Sequence, residues 1–344
     1  MSMFGNFLLA ASGNGASSNA RAQQIALMSL LFLVLAGVIG ATAGGFWLIN
    51  LTAAYAVMLA LMGTNVLFGQ LGLVSLSQYA LVGVGGWVSL WLFHAYKLPF
   101  EVTMLAGGLA AALVGVVWGL PALRFRGIYL ALVTLMLAGA FQAFINAYNF
   151  PVGGTGLKRV LLDRPAIAQS DLAYFFYTAV VCLLGLVLVE AHRRSRPGRA
   201  WALIRRDPRL AVASGASIML YQTWAFALAG FLAGIGGALL AGTYRQLDAT
   251  GFGASESILL FAGAILGGST NWVGTVVGGL LVRAVPTLLD SSGVPATVGL
   301  AVFGAGLIAA VLFGPTGIAG LFDDLVDKVS PRKATRKAKG EVGL

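Results

Sequence analysis

The sequence predicts an all-α polytopic membrane protein, a bundle of about ten transmembrane helices with a short helical cytoplasmic loop. Three observations carry this. The 344 residues are 58% hydrophobic and 10% charged, with a mean hydropathy of +0.88. Soluble domains carry about 25% charged residues, so this chain could not cover a water-facing surface. Between Arg21 and Lys97 there is no Asp, Glu, Lys or Arg at all. A bilayer core about 30 Å thick is crossed by about 20 helical residues, which leaves room there for about three crossings. Glycine supplies 47 residues, about twice average usage. Many sit four apart inside apolar runs: Gly40/Gly44, Gly115/Gly119, Gly230/Gly234, Gly263/Gly267 and Gly274/Gly278. That spacing puts small residues on one helix face, where backbones approach closely.

The apolar segments run near 24–44, 48–68, 72–93, 103–121, 127–148, 172–190, 219–242, 257–268, 272–289 and 296–314. Polar and glycine residues interrupt the third. The eighth is short for a full span and reads as a half-helix or re-entrant element. Lys and Arg set the orientation. With an inside N-terminus, the inner connections hold sixteen: Arg21, Arg124 and Arg126, seven arginines within 193–209, and six basic residues within 328–339. The outer side holds five: Lys97, Lys158, Arg159, Arg164 and Arg245. Both termini are therefore expected in the cytoplasm. Residues 1–23 read as a disordered cytoplasmic tail, 24–322 as the membrane domain with 191–218 as its cytoplasmic loop, and 323–344 as a basic cytoplasmic tail. The net charge of +10 lies mostly beside apolar spans, a topological pattern rather than a nucleic-acid surface. Cys182 is the single cysteine and forms no intrachain disulfide. No G-x-x-x-x-G-K-[ST] phosphate loop occurs, so any ATP would be bound by another chain. No cofactor or metal site is expected.

The loop 191–218 is organised. Pro197-Gly198 opens a short helix over 199–206, in which Ala200, Leu203 and Ile204 share an apolar side. Asp207-Pro208 then supplies an N-cap acceptor and a proline at the first helical position. Gly215 is placed to end that second helix. Two short helices make a knob, read either as a lipid-contacting loop that fixes topology or as a docking element for a cytoplasmic partner. In the interrupted third segment, Ser75, Ser77 and Gln78 lie in an otherwise uncharged zone. Polar groups at that depth face the bundle interior, to bond another helix or to line a water-filled path.

The stretch from Pro197 to Ala241 resembles the cytoplasmic loop and following span of branched-chain amino acid ABC importer permeases of the LivM type. Matching positions are Gly198, Arg199, Ala200, Ile204, Arg205, Ala211, Gly215, Tyr221, Ala225 and Phe226. The chain departs from the pattern at Arg206-Asp207-Pro208 and at Gln222. Residues 72–87 resemble the family's G-x-x-S-L-G-H-A-A-F stretch through Gly72, Ser75, Leu76, Ala80, Gly83 and Gly85. There Ser77 and Gln78 replace Gly-His, and Tyr79 replaces Ala. Residues 121–136 resemble the L-R-x-R-G-x-Y segment and contribute Thr134; Thr155-Gly156-Leu157, residues 256–279 and residues 312–322 match further family segments in order.

The resemblance implies a bundle related to cobalamin-type importer permeases, in which the loop seats in a groove on an ATPase. The coupling residues are then Gly198, Arg199, Ala200, Ile204, Arg205, Arg206, Asp207, Ala211 and Gly215, and the candidate translocation path holds Ser75, Ser77, Gln78, Tyr79 and Thr134. It also implies a second homologous permease, two cytoplasmic ATPase subunits, an extracytoplasmic solute-binding protein, and a location in the bacterial inner membrane with lipid around it. The expected solute is a branched-chain or other neutral amino acid.

Three other classes fit the sequence less well. A secondary carrier usually keeps an ionisable group at mid-membrane. Here Glu190, Asp248, Glu256 and Asp290 fall near span ends, and only Arg283 falls inside a span. Arginine at the bilayer centre costs about 2.5–3.5 kcal/mol on insertion scales, so Arg283 faces protein or snorkels outward. A channel for a small neutral solute such as urea fits the uncharged interior but leaves the arginine-rich knob unexplained. An intramembrane enzyme needs convergent His, Asp, Glu or Cys, whereas His94 and His192 fall at opposite membrane faces.

Overall fold

A computed structural model describes residues 18–125, 127–148, 162–269 and 272–293, together with 298, 301, 304–306, 308, 317, 318 and 320. All regular structure among the described residues is helical. The long helices are α1 (Ser18–Thr42), α2 (Gly45–Thr64), α3 (Gln78–Tyr96), α4 (Phe100–Gly119), α5 (Ile128–Tyr148) and α6 (Asp171–Arg194). Two short helices follow, α7 (Arg196–Arg206) and α8 (Pro208–Ala213), and then α9 (Ile218–Tyr244), α10 (Ala254–Gly267) and α11 (Trp272–Ser291). Each of the first nine apolar segments thus has its helix. Most of the tenth, residues 1–17, the C-terminal tail, Thr155-Gly156-Leu157 and most of the 312–322 match lie outside the described residues; residues 18–23, expected to belong to a disordered tail, instead form the first turns of α1.

Seven of the described helices are long and apolar enough to cross a membrane. The interrupted third segment starts its helix six residues later than its apolar run, because 72–77 is non-helical and α3 begins at Gln78. With 14 residues, α10 rises about 21 Å at 1.5 Å per residue, short of a bilayer core of about 30 Å.

At the centre stands α9, buried over nearly its whole length and packed most extensively on α4, then α3 and α2. The glycine pairs explain how four helices meet so closely. On α4, a Cβ placed at Gly115 would lie 2.7 Å from the Phe226 carbonyl, and one at Gly119 would meet the Phe226 ring. On α9, Cβ atoms at Gly230 and Gly234 would run into the backbone of Ala111 and Gly107. The two pairs therefore pack on each other, and Gly85 of α3 enters the same junction against Gly234. In the same way Gly263/Gly267 of α10 pack on Gly274/Gly278 of α11. Backbone contact of this kind replaces the hydrophobic drive that is missing between helices in lipid. The pair Gly40/Gly44 behaves otherwise: Gly40 sits against Phe176, but Gly44 precedes α2 with nothing near it.

At the far end from α7, the segment before α6 docks on the end of α9. Arg164 is buried, pairs with Asp171 at 2.7 Å and donates from Nε to the Gly242 carbonyl at 3.1 Å. Its guanidinium stands 4.7 Å over the Tyr174 ring, and the Tyr174 hydroxyl donates to the Leu239 carbonyl.

Candidate functional site

The α6–α9 connection folds as two helices, as its sequence signals predict. Helix α7 starts at Arg196, one turn ahead of the expected residue 199, with Pro197 in its first turn. Gly198 is the hinge of the entry: a Cβ there would collide with the Arg193 backbone at the end of α6. Asp207 caps α8, its carboxylate accepting from the Arg209 amide at 2.8 Å. The exit is a Schellman turn, with the Ala216 amide bonded to the Ala211 carbonyl, the Gly215 amide to Val212, and Gly215 at φ +82°.

Burial divides the coupling residues into two sets. Gly198, Ala200, Ile204 and Ala211 are buried, whereas Arg199, Arg205, Arg206, Asp207 and Gly215 are exposed. Leu203, expected on the apolar side, is only part-buried, and Trp201 takes the central place at 0% exposure. The Trp201 Nε1–H donates to the Tyr221 carbonyl at 2.9 Å. The rings of Trp201 and Trp224 both stack on His192, at 6.5 and 6.0 Å between centroids. The sequence reading missed Trp201, although the spacing 200, 201, 204 places it on the buried face of α7.

Arg205 reaches away from the knob into the bundle. Its guanidinium donates to the Gly69 carbonyl. Gly69 lies in a π-helical turn, Asn65–Gln70, that continues α2. On its other side Gly69 is wedged against Ser269, in the turn between α10 and α11. At the start of the turn, Asn65 donates from Nδ2 to Thr275 Oγ1 at 2.7 Å, and its own Oδ1 is buried without a partner among the described residues. A cavity of about 30 Å³ opens here between Asn65, Gln70, Glu190, Ser269 and Thr275, enough for ordered water.

From the π turn the chain folds back inward. Gln78 Oε1 comes within 3.1 Å of where a Gly63 Cβ would stand, seven residues up α2 from Gln70 and so about 10 Å deeper. Ser75, Ser77, Gln78, Tyr79 and Thr134 are all buried. The Ser75 and Ser77 hydroxyls are 3.2 Å apart, and Thr134 of α5 accepts from the Leu76 amide at 2.9 Å. Tyr79 points elsewhere, stacked on Phe252 at 5.8 Å. Both polar atoms of the Gln78 amide are buried with no partner among the described residues. Of the expected path residues, Ser75, Ser77 and Thr134 are thus brought together next to Gln78, whereas Tyr79 turns to Phe252. Among the described residues no group of three His, Cys, Asp or Glu could hold a metal.

A glycine-packed bundle of spans, a docked helical knob and a buried polar break before α3 together make a multi-pass helical membrane protein. The chain belongs to the family of branched-chain amino acid transport system permease components, which its residues 47–311 match. It is 26% identical over 287 residues to the high-affinity branched-chain amino acid transport system permease protein LivM of Escherichia coli (strain K12), covering 75% of this chain and 67% of the relative. The LivM protein of Salmonella typhimurium matches equally. A probable branched-chain amino acid transport permease protein LivH of Methanocaldococcus jannaschii is 28% identical over 197 residues, 55% of this chain and 62% of the relative. No solved structure matches.

Proposed function

We propose that this chain is one permease of a pair in a bacterial inner-membrane importer, driven by two cytoplasmic ATPase subunits and fed by an extracytoplasmic binding protein. Both termini and the α7–α8 knob lie in the cytoplasm, as the basic residues argue. Residues 24–322 form the permease domain between two cytoplasmic tails. The solute is a branched-chain or other neutral amino acid, since the relatives are named for branched-chain amino acid transport.

The observation that carries the mechanism is the contact of Arg205 with Gly69. ATP binding closes the ATPase pair, and the exposed Arg199, Arg206 and Asp207 move with it. The buried set, led by Trp201, keeps the knob rigid while Arg205 passes the displacement to the π turn. That turn stands at the foot of 71–77, so its movement shifts Ser75, Ser77 and Gln78 against Thr134 and changes the side to which the path opens. Purification of the chain from native membranes in mild detergent tests the assembly: a second permease and two ATPase chains are expected with it. Recovery of the chain alone, moving solute in liposomes without ATP, would overturn the reading. In the assembled complex, Arg199→Glu is expected to lower solute-stimulated ATPase activity at least about tenfold; full activity would remove the coupling role.

A further inference from the structure

Glu190 is a buried charge that the contact of Arg205 with Gly69 does not involve. It lies near the end of α6, is 4% exposed, and accepts from both arginines that close the helix. Arg193 reaches each carboxylate oxygen at 3.0 Å, and Arg194 donates from its Nε. Burying a carboxylate is costly unless donors of this kind satisfy it. The cluster is also the root of the knob, because Gly198 packs against the Arg193 backbone.

Glu190 and Arg193 line the cavity of about 30 Å³ at the π turn, together with Asn65, Gln70, Ser269 and Thr275. Asn65 is 7% exposed; its Nδ2 bonds Thr275 Oγ1, and its Oδ1 has no partner among the described residues. Charge decides what fits there. Two guanidiniums stand against one carboxylate, so the wall is net positive and repels a cation. The Asn65 oxygen is an acceptor only, which turns away an anion. A small neutral donor remains, and the space suits water: about 10–15 Å³ or more holds one molecule, given about two to four polar partners.

We propose that an ordered water in this cavity donates to Asn65 Oδ1 and to the Glu190 carboxylate, and that the bridge is a second joint between the knob and the bundle. Its far side is α11, through the hydrogen bond of Asn65 with Thr275. Asn65 and Glu190 are therefore positioning residues, which act through the elements they join rather than on the solute. A water serves here better than a direct bond between side chains, since it re-forms its hydrogen bonds as the cavity narrows. The π turn can then shift while α6 and the knob stay attached to it. This deepens the importer reading and rests on it.

Radiolytic labelling of the purified complex, in which X-rays split bound water into hydroxyl radicals that oxidise the nearest side chain, reads the water directly. Met62 lines the cavity yet is 1% exposed, and Met58, 0% exposed, lies away from it. Oxidation to the sulfoxide at Met62 but not at Met58 is expected in the parent. Asn65→Leu removes the acceptor, and Met62 labelling should fall at least about fivefold. ATP-driven uptake of L-leucine by the complex reconstituted with its co-purified partners reads the joint. Asn65→Leu and Glu190→Gln are each expected to lower leucine moved per ATP hydrolysed about tenfold, the scale of one lost hydrogen bond at a buried charge. The double variant should fall no further than the lower single, because both changes break one bridge. Glu190→Asp keeps the charge and should lie between the parent and Glu190→Gln. If the Glu190 variants fail to co-elute with the partners, Met62 labelling in Asn65→Leu still decides. Met62 labelled no more than Met58 in the parent would overturn the water, and losses that multiply in the double variant would overturn the joint. A parent complex that takes up no leucine with ATP would overturn the importer reading itself, whatever Met62 shows.

Discussion

Trp201→Ala isolates what the knob needs in order to transmit force. Trp201 is wholly buried, donates to the Tyr221 carbonyl at 2.9 Å and stacks on His192. Deleting such a side chain costs about 3–5 kcal/mol, from the lost burial together with the cavity left behind. With 11 residues, α7 is too short to hold its helix alone, so the loss falls on its docking. The undocked population should rise by about 10²–10³-fold or more, because 1.4 kcal/mol corresponds to about a tenfold change. Hydrogen exchange of the α7 amides in the purified complex reads this directly. Protection should fall by that factor in α7 while α9 amides stay protected, and solute moved per ATP should fall with it. Trp201→Phe keeps the ring and forfeits one hydrogen bond, a net cost of about 0.5–1.5 kcal/mol. Its protection should drop only about tenfold or less. Equal α7 protection in Trp201→Ala and the parent would refute the argument, since the ring would then not be what seats the knob.

Two further substitutions probe the chain of contacts inward from the knob. Gly69→Ala puts a methyl into the Ser269 backbone, which has no flexible end to yield. Overpacking of about 1–3 kcal/mol should lower the thermal midpoint of the complex and the transport-to-ATPase ratio together; an unchanged ratio would detach the π turn from coupling. Thr134→Val preserves shape and removes the acceptor of the Leu76 amide. The orphaned amide costs about 1–3 kcal/mol, and exchange over 72–77 should accelerate at least about fivefold; unchanged exchange would show that α5 does not hold this segment.

The bundle was legible because lipid imposes simple rules on a sequence. Uncharged runs mark spans, and Lys and Arg mark connections. Glycine pairs were read as packing faces, but only space decides their partners. Nothing local distinguishes Gly40/Gly44, which does not pack as a pair, from Gly230/Gly234, which does. The knob was legible for a different reason: caps are local chemistry, and Asp207-Pro208 and Gly215 act within three residues of themselves. The contact of Arg205 with Gly69 joins residues 136 apart, and no periodicity in either segment encodes it. The π turn was equally invisible, because Asn65–Gln70 continues the apolar run of α2 without a proline or any other breaker. Trp201 is legible in the helical spacing of 200, 201 and 204, although it sits among arginines that mark the segment as polar.

The π turn is the element best suited to move. A π-helical turn carries one residue more than the α ladder can pair, so it can slide along a helix at little cost to backbone hydrogen bonding. Here its two flanks differ. Gly69 is pinned, with the Arg205 guanidinium on its carbonyl and Ser269 against its Cα. Asn65, at the start of the same turn, lines a small cavity and has an oxygen with no partner among the described residues. A push delivered by Arg205 at the pinned end therefore has space to enter at the other. The same push reaches α10 and α11 through Ser269, and α11 carries Arg283. On the proposed coupling, one displacement of α7 would thus reach both the segment leading to Gln78 and the turn that joins α10 to α11. On that coupling, an element joined to both can alternate access without any charge crossing the bundle, so the knob would drive a nearly uncharged interior through backbone contacts.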